Sequence, residues 1–320
     1  MTHCKPYVIG IDMGGTNTVI GIVDSRGKIV ASTSIKTREH EEFPDFVEAI
    51  AKACRRVISE VGKPQMIAGI GIGAPNANYY TGNIENAANL PWKGILPLAE
   101  MLTNALDIPV AVTNDANAAA IGEMTYGAAR GMRDFIMITL GTGVGSGIVI
   151  NGELVYGNDG FAGELGHVKV RRGGRQCGCG QKGCLETYCS ATGVARTAVE
   201  FLETHTEDSL LRKLEPSKIT SKDVYDAAIQ GDAMAKEIFE YTGQIMGEAF
   251  ADFVCFSAPE AIVLFGGLAQ AGDLLTVPIR KSMEENLIQN WKGKIKLIPS
   301  ALKASEAAVL GAAALGWKAQ

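Results

Sequence analysis

The segment from His167 to Cys184 holds one imidazole and three thiols in the spacing H-x9-C-x-C-x4-C and runs into CGCGQKGCLE. One His nitrogen and three thiolates make a four-coordinate, tetrahedral donor set suited to Zn2+. His167, Cys177, Cys179 and Cys184 are therefore read as zinc ligands. Four protein ligands leave no position for a reactive water, so the metal is structural, supplying folding energy to a glycine-rich loop that cannot build its own core. Cys4, Cys54, Cys189 and Cys255 are isolated in sequence and read as ordinary thiols or small apolar residues.

A second group consists of carboxylates and amides. Asn114-Asp115 follows the apolar run PVAVT and precedes an Ala-rich stretch. Either residue can cap a helix, since both satisfy orphan N–H groups. A carboxylate at the C-terminal end of a strand in an α/β sheet is also where ligands bind and where a general base is placed. GELGH sets Glu164 and His167 three residues apart. With Glu186 they offer the mixture of acceptors and donors that a polyhydroxylated ligand such as a sugar requires.

Three glycine-rich turns complete the inventory: DMGGTN (Asp12 to Asn17), GTGVGSG (Gly141 to Gly147) and FGGLAQAG (Phe265 to Gly272). Glycine lets backbone N–H groups approach a phosphate closely. The first turn is not a P-loop, because Thr16 stands where the lysine belongs. The second is not a dinucleotide fingerprint, because the third glycine falls on Ser146 or Ile148. Each of these two turns also precedes a strand pattern, whereas both motifs require a helix.

The elements that must position these groups follow from periodicity. YVIGIDM, TVIGIVD and KIVAST read as three strands around the GGTN and SRG turns, and FIMITL, GIVI and ELVYG repeat that plan around GTGVGSG and Asn151-Gly152. Phe46, Ile50, Cys54, Val57 and Val61 lie on one face of a helix that stops at Gly62. MIAGIGIGA, PVAVTN, AIVLFGG and KIKLIP read as further strands; PLAEMLTNAL, ANAAAIGEMTYG, a long run from Ala233 to Phe256 and the terminal KASEAAVLGAAALGW read as helices. The small residues of that last helix let another backbone approach it. Strands alternating with helices define an α/β class with mostly parallel sheets.

Length and composition agree with an enzyme of two lobes. The chain has 320 residues, is 47% hydrophobic and 20% charged, and carries a net charge of −5. That acidity argues against a nucleic-acid surface, and the one basic cluster, KVRRGGR at Lys169 to Arg175, reads as a solvated loop. The N-terminus shows no secretory signal and no run is long enough to span a membrane, so a cytoplasmic protein is expected, where seven cysteines stay reduced.

The two repeated hairpins resemble the ATPase fold shared by actin, sugar kinases and heat-shock chaperones, an α/β, two-lobed, actin/hexokinase-like architecture of duplicated ribonuclease H-like domains. In that fold the hairpins grip the phosphates of ATP from opposite lobes and the third turn borders the adenosine. The resemblance implies nucleotide contacts from Asp12, Gly14, Gly15, Thr16, Asn17, Gly141, Thr142, Gly143, Gly266 and Gly267, with Asp12 near Mg2+ through water. The small lobe is expected over residues 1–116, with the helix at 303–320 packing back on it, and the large lobe over 117–302.

More closely, the chain resembles the ROK family (repressors, open reading frames, sugar kinases), through DMGGTN, GIGAPN, ENAANLPW, TNDANAAAIGE, the run from Leu140 to His167, CGCGQKGCLE, VLFGG and EAAVLGAAALG. By that resemblance Asp115 is the general base for a hexose 6-hydroxyl, and Asn89, Asn114, Asp115, Glu164, His167 and Glu186 are hexose contacts. The implied activity is ATP-dependent formation of glucose 6-phosphate with Mg2+ in a homodimer. A kinase for N-acetylglucosamine, N-acetylmannosamine, fructose or allose, or a sugar-sensing transcriptional regulator, are the alternatives. Family glucokinases usually read GAPG where this chain has Asn76 after Gly73-Ala74-Pro75. His167, as both zinc ligand and sugar contact, makes the zinc loop one wall of the hexose site.

Overall fold

The apolar runs at the start of the chain form three adjacent strands. The structure is a computed structural model and describes residues 5–87 and 90–319. In it β1 (Tyr7–Met13), β2 (Asn17–Asp24) and β3 (Ile29–Lys36) pair antiparallel in succession. β4 (Ile67–Gly73) and β7 (Val110–Thr113) extend the sheet in parallel on the far side of β1, giving the order β3-β2-β1-β4-β7. Between them lie a small ladder of β5 (Ile84–Glu85) and β6 (Ile95–Leu96), and helix α2 (Leu98–Leu106).

Strand alternation divides the burial of this sheet between two faces. Ile9, Ile11 and Met13, with Ile20 and Ile22, pack against α1 (Phe43–Val61) and α2. The predicted face of α1 is buried through Phe46, Ile50, Cys54 and Val57, and Gly62 caps it by donating its N–H to Ile58 O at 3.0 Å. Val8 and Val23 point the other way and pack against Val309, Leu310 and Ala313 of α9 (Ala304–Gly316). On that face the strands contribute glycine. A Cβ on Gly10 would stand 2.1 Å from Val309 O, and one on Gly71 would stand 1.9 Å from Ala312 O. The small-residue helix and the side-chain-free strand positions therefore let backbone lie on backbone. α3 (Asp115–Tyr126) packs against α9 as well.

The second sheet repeats the plan. β8 (Phe135–Leu140) and β9 (Val144–Ile150) pair antiparallel, and β11 (Ala261–Phe265) and β12 (Lys296–Pro299) follow in parallel beyond β8. Ile136, Ile138, Leu140, Ile262 and Leu264 bury themselves against α5 (Ala191–Thr204), α6 (Ser221–Ile229) and α7 (Ala233–Ser257). A short α4 (Glu186–Cys189) precedes α5, and α8 (Asp273–Asn286) runs along α7. Asn151 and Gly152 take φ of 55° and 80°, the two left-handed residues of a tight hairpin turn, which leads into β10 (Glu153–Leu154).

By contact the chain divides into two compact units, Met1–Met132 with Glu153–Gly163 and Ala301–Gln320, and Arg133–Gly152 with Glu164–Ser300. The central segment of the first unit is pinned there by Asn78 Nδ2, which donates to Asp159 O at 2.8 Å, and by Tyr79, stacked on Tyr156 at 4.1 Å between ring centroids. Among the described residues no helix is long and apolar enough to cross a membrane.

Because the Gly71 notch is closed by a helix backbone rather than a flexible side chain, Gly71→Ala must displace α9. It is expected to lower unfolding free energy by about 1–3 kcal/mol or more, measured by urea denaturation; an unchanged midpoint would show that α9 does not pack as described.

Candidate active site

In the first unit three parallel strands end in register. Asp12 of β1 pairs with Gly73 of β4, and Gly73 pairs with Thr113 of β7. Asn114 and Asp115 follow at once, where the chain turns into α3. Asn114 caps the helix by accepting the N–H of Asn117 at 2.7 Å, so the capping role is filled. Asp115 occupies the first helical position and accepts the N–H of Ala116 at 2.9 Å.

The two carboxylates feel each other. Burial, reinforced by the negative charge of Asp115, raises Asp12 from 3.8 to about 6. Asp115 is exposed at one side and recessed among protein atoms on the others. That recess raises its carboxyl above the usual range, and the Ala116 N–H offsets only part of the rise. A carboxylate so placed is more basic than one in free water, as proton acceptance from a hydroxyl requires.

The first glycine turn is shaped by its carbonyls. Gly14 N–H donates to Asn17 O at 3.0 Å, while Gly14 O, Gly15 O and Thr16 O accept from Thr37 Oγ1, Arg38 Nε and Thr37 N–H at 2.8, 2.8 and 3.0 Å. A turn whose carbonyls are taken in this way presents N–H rather than C=O to an anion. Asn17 Oδ1 is taken by Lys36 Nζ at 2.8 Å. Asn76 has a φ of 51°, the left-handed region that Gly or Asn adopts with least strain, so it meets the backbone requirement of the glycine it replaces. Its Nδ2 also donates to Glu85 O at 3.1 Å. Asn89 lies outside the described residues, as does Cys4.

In the second unit the other two glycine turns lie at the ends of neighbouring strands, β8 and β11. Gly266, at a φ of 104°, backs so closely on Leu140 that a Cβ would stand 2.4 Å from Leu140 O. The turn from Gly141 to Val144 is held by the chain around α4 and α5. Gly141 O accepts from Ala191 N–H at 2.8 Å, Thr142 O from Thr192 Oγ1 at 2.7 Å, and Val144 N–H donates to Glu186 Oε2 at 3.1 Å.

The predicted metal ligands converge in the same unit. The ligand atoms of His167, Cys177, Cys179 and Cys184 all lie within 4.8 Å of one another. Two of the separations, Cys177 Sγ to His167 Nδ1 and Cys179 Sγ to Cys184 Sγ, are both 3.7 Å. A tetrahedron with metal–sulfur bonds of about 2.3 Å has edges of roughly 3.8 Å, so the donor set fits zinc. The imidazole divides its nitrogens. Nδ1 faces the thiols and Nε2 lies 3.8 Å from Glu164 Oε2, beyond hydrogen-bond length but on the side where a carboxylate orients a metal-binding histidine. Among the remaining thiols, burial pushes Cys54 up to about 12 and raises Cys189 also, which keeps both inert.

One residue corrects the sequence reading. Arg175, expected in a solvated loop, is only 7% exposed. Its guanidinium donates to Glu200 through Nε at 3.0 Å, to Thr187 O at 2.8 Å and to Thr197 Oγ1 at 2.8 Å, and lies 4.4 Å from the centre of the Tyr188 ring. It fastens the start of the cysteine loop to α4 and α5. Thr37, Arg38, Thr192 and the Val144 N–H, which shape the glycine turns, carried no sequence signal of their role.

Two sheets of one plan, each with a glycine turn joining its first two strands, and a basic carboxylate at one sheet edge define an α/β phosphoryl-transfer architecture. The chain belongs to the ROK family, whose model matches residues 8–319. It is 40% identical over 282 residues to the glucokinase of Halalkalibacterium halodurans, covering 87% of this chain and 85% of that one. It is 34% identical to the glucokinase of Thermotoga maritima, covering 97% of each. A ROK family glucokinase from Streptomyces griseus, solved in complex with glucose and AMPPNP, superposes with a TM-score of 0.79 at 34% identity, covering 98% of this chain and 99% of that one.

The raised Asp12 has a consequence for stability. Its folded value lies above its unfolded one, so the contribution is favourable below about 3.8 and is lost as pH rises through about 6. Asp12→Asn is therefore expected to raise the Tm of the nucleotide- and metal-free protein at pH 7.5 and to lose most of that advantage at pH 4.5. Equal shifts at both pH values would contradict a raised Asp12 carboxyl.

Proposed function

We propose that the protein transfers the γ-phosphoryl group of ATP to the 6-hydroxyl of D-glucose, giving glucose 6-phosphate and ADP. The observation that carries this reading is Asp115, a carboxylate of raised basicity at the C-terminal edge of three in-register parallel strands, in a chain 34–40% identical to bacterial glucokinases. Asp115 accepts the hydroxyl proton as the new O–P bond forms. The bond between the γ-phosphorus and its bridging oxygen breaks, and ADP departs with that oxygen's electron pair. The Asp12 to Asn17 and Gly141 to Gly143 turns hold the phosphates, the second through the N–H groups of Thr142 and Gly143, and the Gly266-Gly267 turn borders the adenosine.

Asn114, Asp115, Glu164, His167 and Glu186 contact the hexose in this reading, with Asn89 added by family likeness. Mg2+ fits beside Asp12, where a cation would offset the burial and the Asp115 charge that raise the carboxyl, and when bound it neutralises charge on the phosphates. Zn2+ fits the His167, Cys177, Cys179 and Cys184 set, and its role is to hold the loop. Thiols must stay reduced for that site to persist, which supports the reading of a cytoplasmic protein. We assign a homodimer from the family likeness.

Three tests address this. Asp115→Asn is expected to lower kcat with glucose by about 10²–10⁴-fold while glucose affinity, read by calorimetry, changes little; near-normal turnover would sink the assignment. Because Asp115 must be ionised to act and its carboxyl is raised, the acidic limb of kcat/KM should lie above the ordinary carboxylate range and vanish in the residual activity of that variant. Metal analysis of the purified chain should find zinc at one per chain, and Cys184→Ser should lose it and melt at lower temperature; a metal-free, equally stable wild type would remove zinc from the reading.

A further inference from the structure

Glu186 stands between two parts of the second unit that the functional reading treats separately. One carboxylate oxygen, Oε2, accepts the N–H of Val144 at the end of the glycine turn, at 3.1 Å. The other, Oε1, lies 3.6 Å from Cys177 Sγ in the predicted metal cluster. Glu186 itself is two residues beyond Cys184, whose thiol belongs to the same cluster.

The contact with the turn is close. A Cβ on Gly143 would stand 2.2 Å from Glu186 Oε2, at the far end of a flexible side chain. A larger residue there would push the carboxylate away from the Val144 N–H, while Gly143 itself carries no left-handed φ. Hydrogen bonds from backbone N–H to an ionised acceptor are the strong class. Beside this bond, Ala191 N–H and Thr192 Oγ1 hold Gly141 O and Thr142 O. Arg175 then binds the segment that carries Glu186 through Thr187 O. A continuous chain of bonds thus leads from the cysteine loop through Glu186 to the turn assigned to the phosphates.

We propose that Glu186 is a positioning residue for the nucleotide: its carboxylate sets the Gly141 to Val144 turn, so the cysteine loop supports the binding of ATP phosphates as well as the sugar. This rests on the functional reading above, in which that turn contacts ATP. The sugar and the phosphate turn then share one carboxylate, and whatever displaces Glu186 loosens both.

The experiment measures binding of AMPPNP with Mg2+, without sugar, to the full-length chain by calorimetry, after metal analysis and circular dichroism. Glu186→Ala is expected to weaken AMPPNP binding by about tenfold, the loss of one charged hydrogen bond. Glu186→Gln, whose amide oxygen still accepts from Val144 N–H, should stay within about threefold of wild type. Glu186→Asp keeps the charge but withdraws the oxygens by one methylene, and should behave as Ala does; it decides the matter if the alanine variant does not fold. Wild-type affinity in Glu186→Ala or Glu186→Asp, or a Gln variant as weak as Ala, overturns the proposal. A wild type that binds AMPPNP and phosphorylates glucose while its Glu186 variants bind AMPPNP unchanged overturns this inference alone. A wild type that binds no AMPPNP and phosphorylates no hexose overturns both readings.

Discussion

Asp12 and Asp115 repel each other, and the first unit is built so that they cannot move apart. Asp12 ends a strand buried on both faces, and Asp115 is fixed by the cap that Asn114 places on α3. Between their strands runs β4, whose Gly73 shares a register row with both Asp12 and Thr113. α3 is held in turn by α9, and α9 lies on β1 and β4 where glycines admit its backbone. Each packing feature of this unit therefore ends at the carboxylate pair. Burial, with the negative charge of Asp115 added to it, raises Asp12, and a bound cation would offset both, which is how active sites convert stability into function.

The second unit solves a different problem. Its glycine turns have no side chains with which to hold themselves, so neighbouring chain must hold them. Ala191, Thr192 and Glu186 do this from one short stretch that begins beside the last cysteine. The buried guanidinium of Arg175 completes the attachment, with every polar contact directed at α4 or α5.

Much of this was legible in the sequence because the signals were local. The strands of both sheets are apolar runs bounded by Gly, Asn or Asp, and α1 shows its buried face at helical spacing. The cluster of His167, Cys177, Cys179 and Cys184 was legible because its residue types and spacing are those of a tetrahedral metal site. α6 opens on a Thr220–Asp223 capping box and α5 buries Val194, Thr197 and Ala198 along one face, both readable signals that went unread, whereas α8 contains Pro278. Arg175 looked solvated because its neighbours are cationic, while its partners Thr197 and Glu200 lie on a later helix. The bond between Glu186 and Val144 left no trace at all, since a backbone N–H has no residue type.

The first unit is assembled from three stretches of chain, and the last of them carries α9. Until that helix has been synthesised, Val8, Val23 and the glycine row of β1 and β4 lack the surface they lie against in the folded unit. A growing chain on the ribosome therefore carries that sheet face open until α9, far downstream of β4, has emerged. The contacts that close the unit join segments far apart in the chain, the class of contact that forms slowly and leaves early strands open to aggregation in the meantime. Loss of α9 would thus uncover strands made long before it.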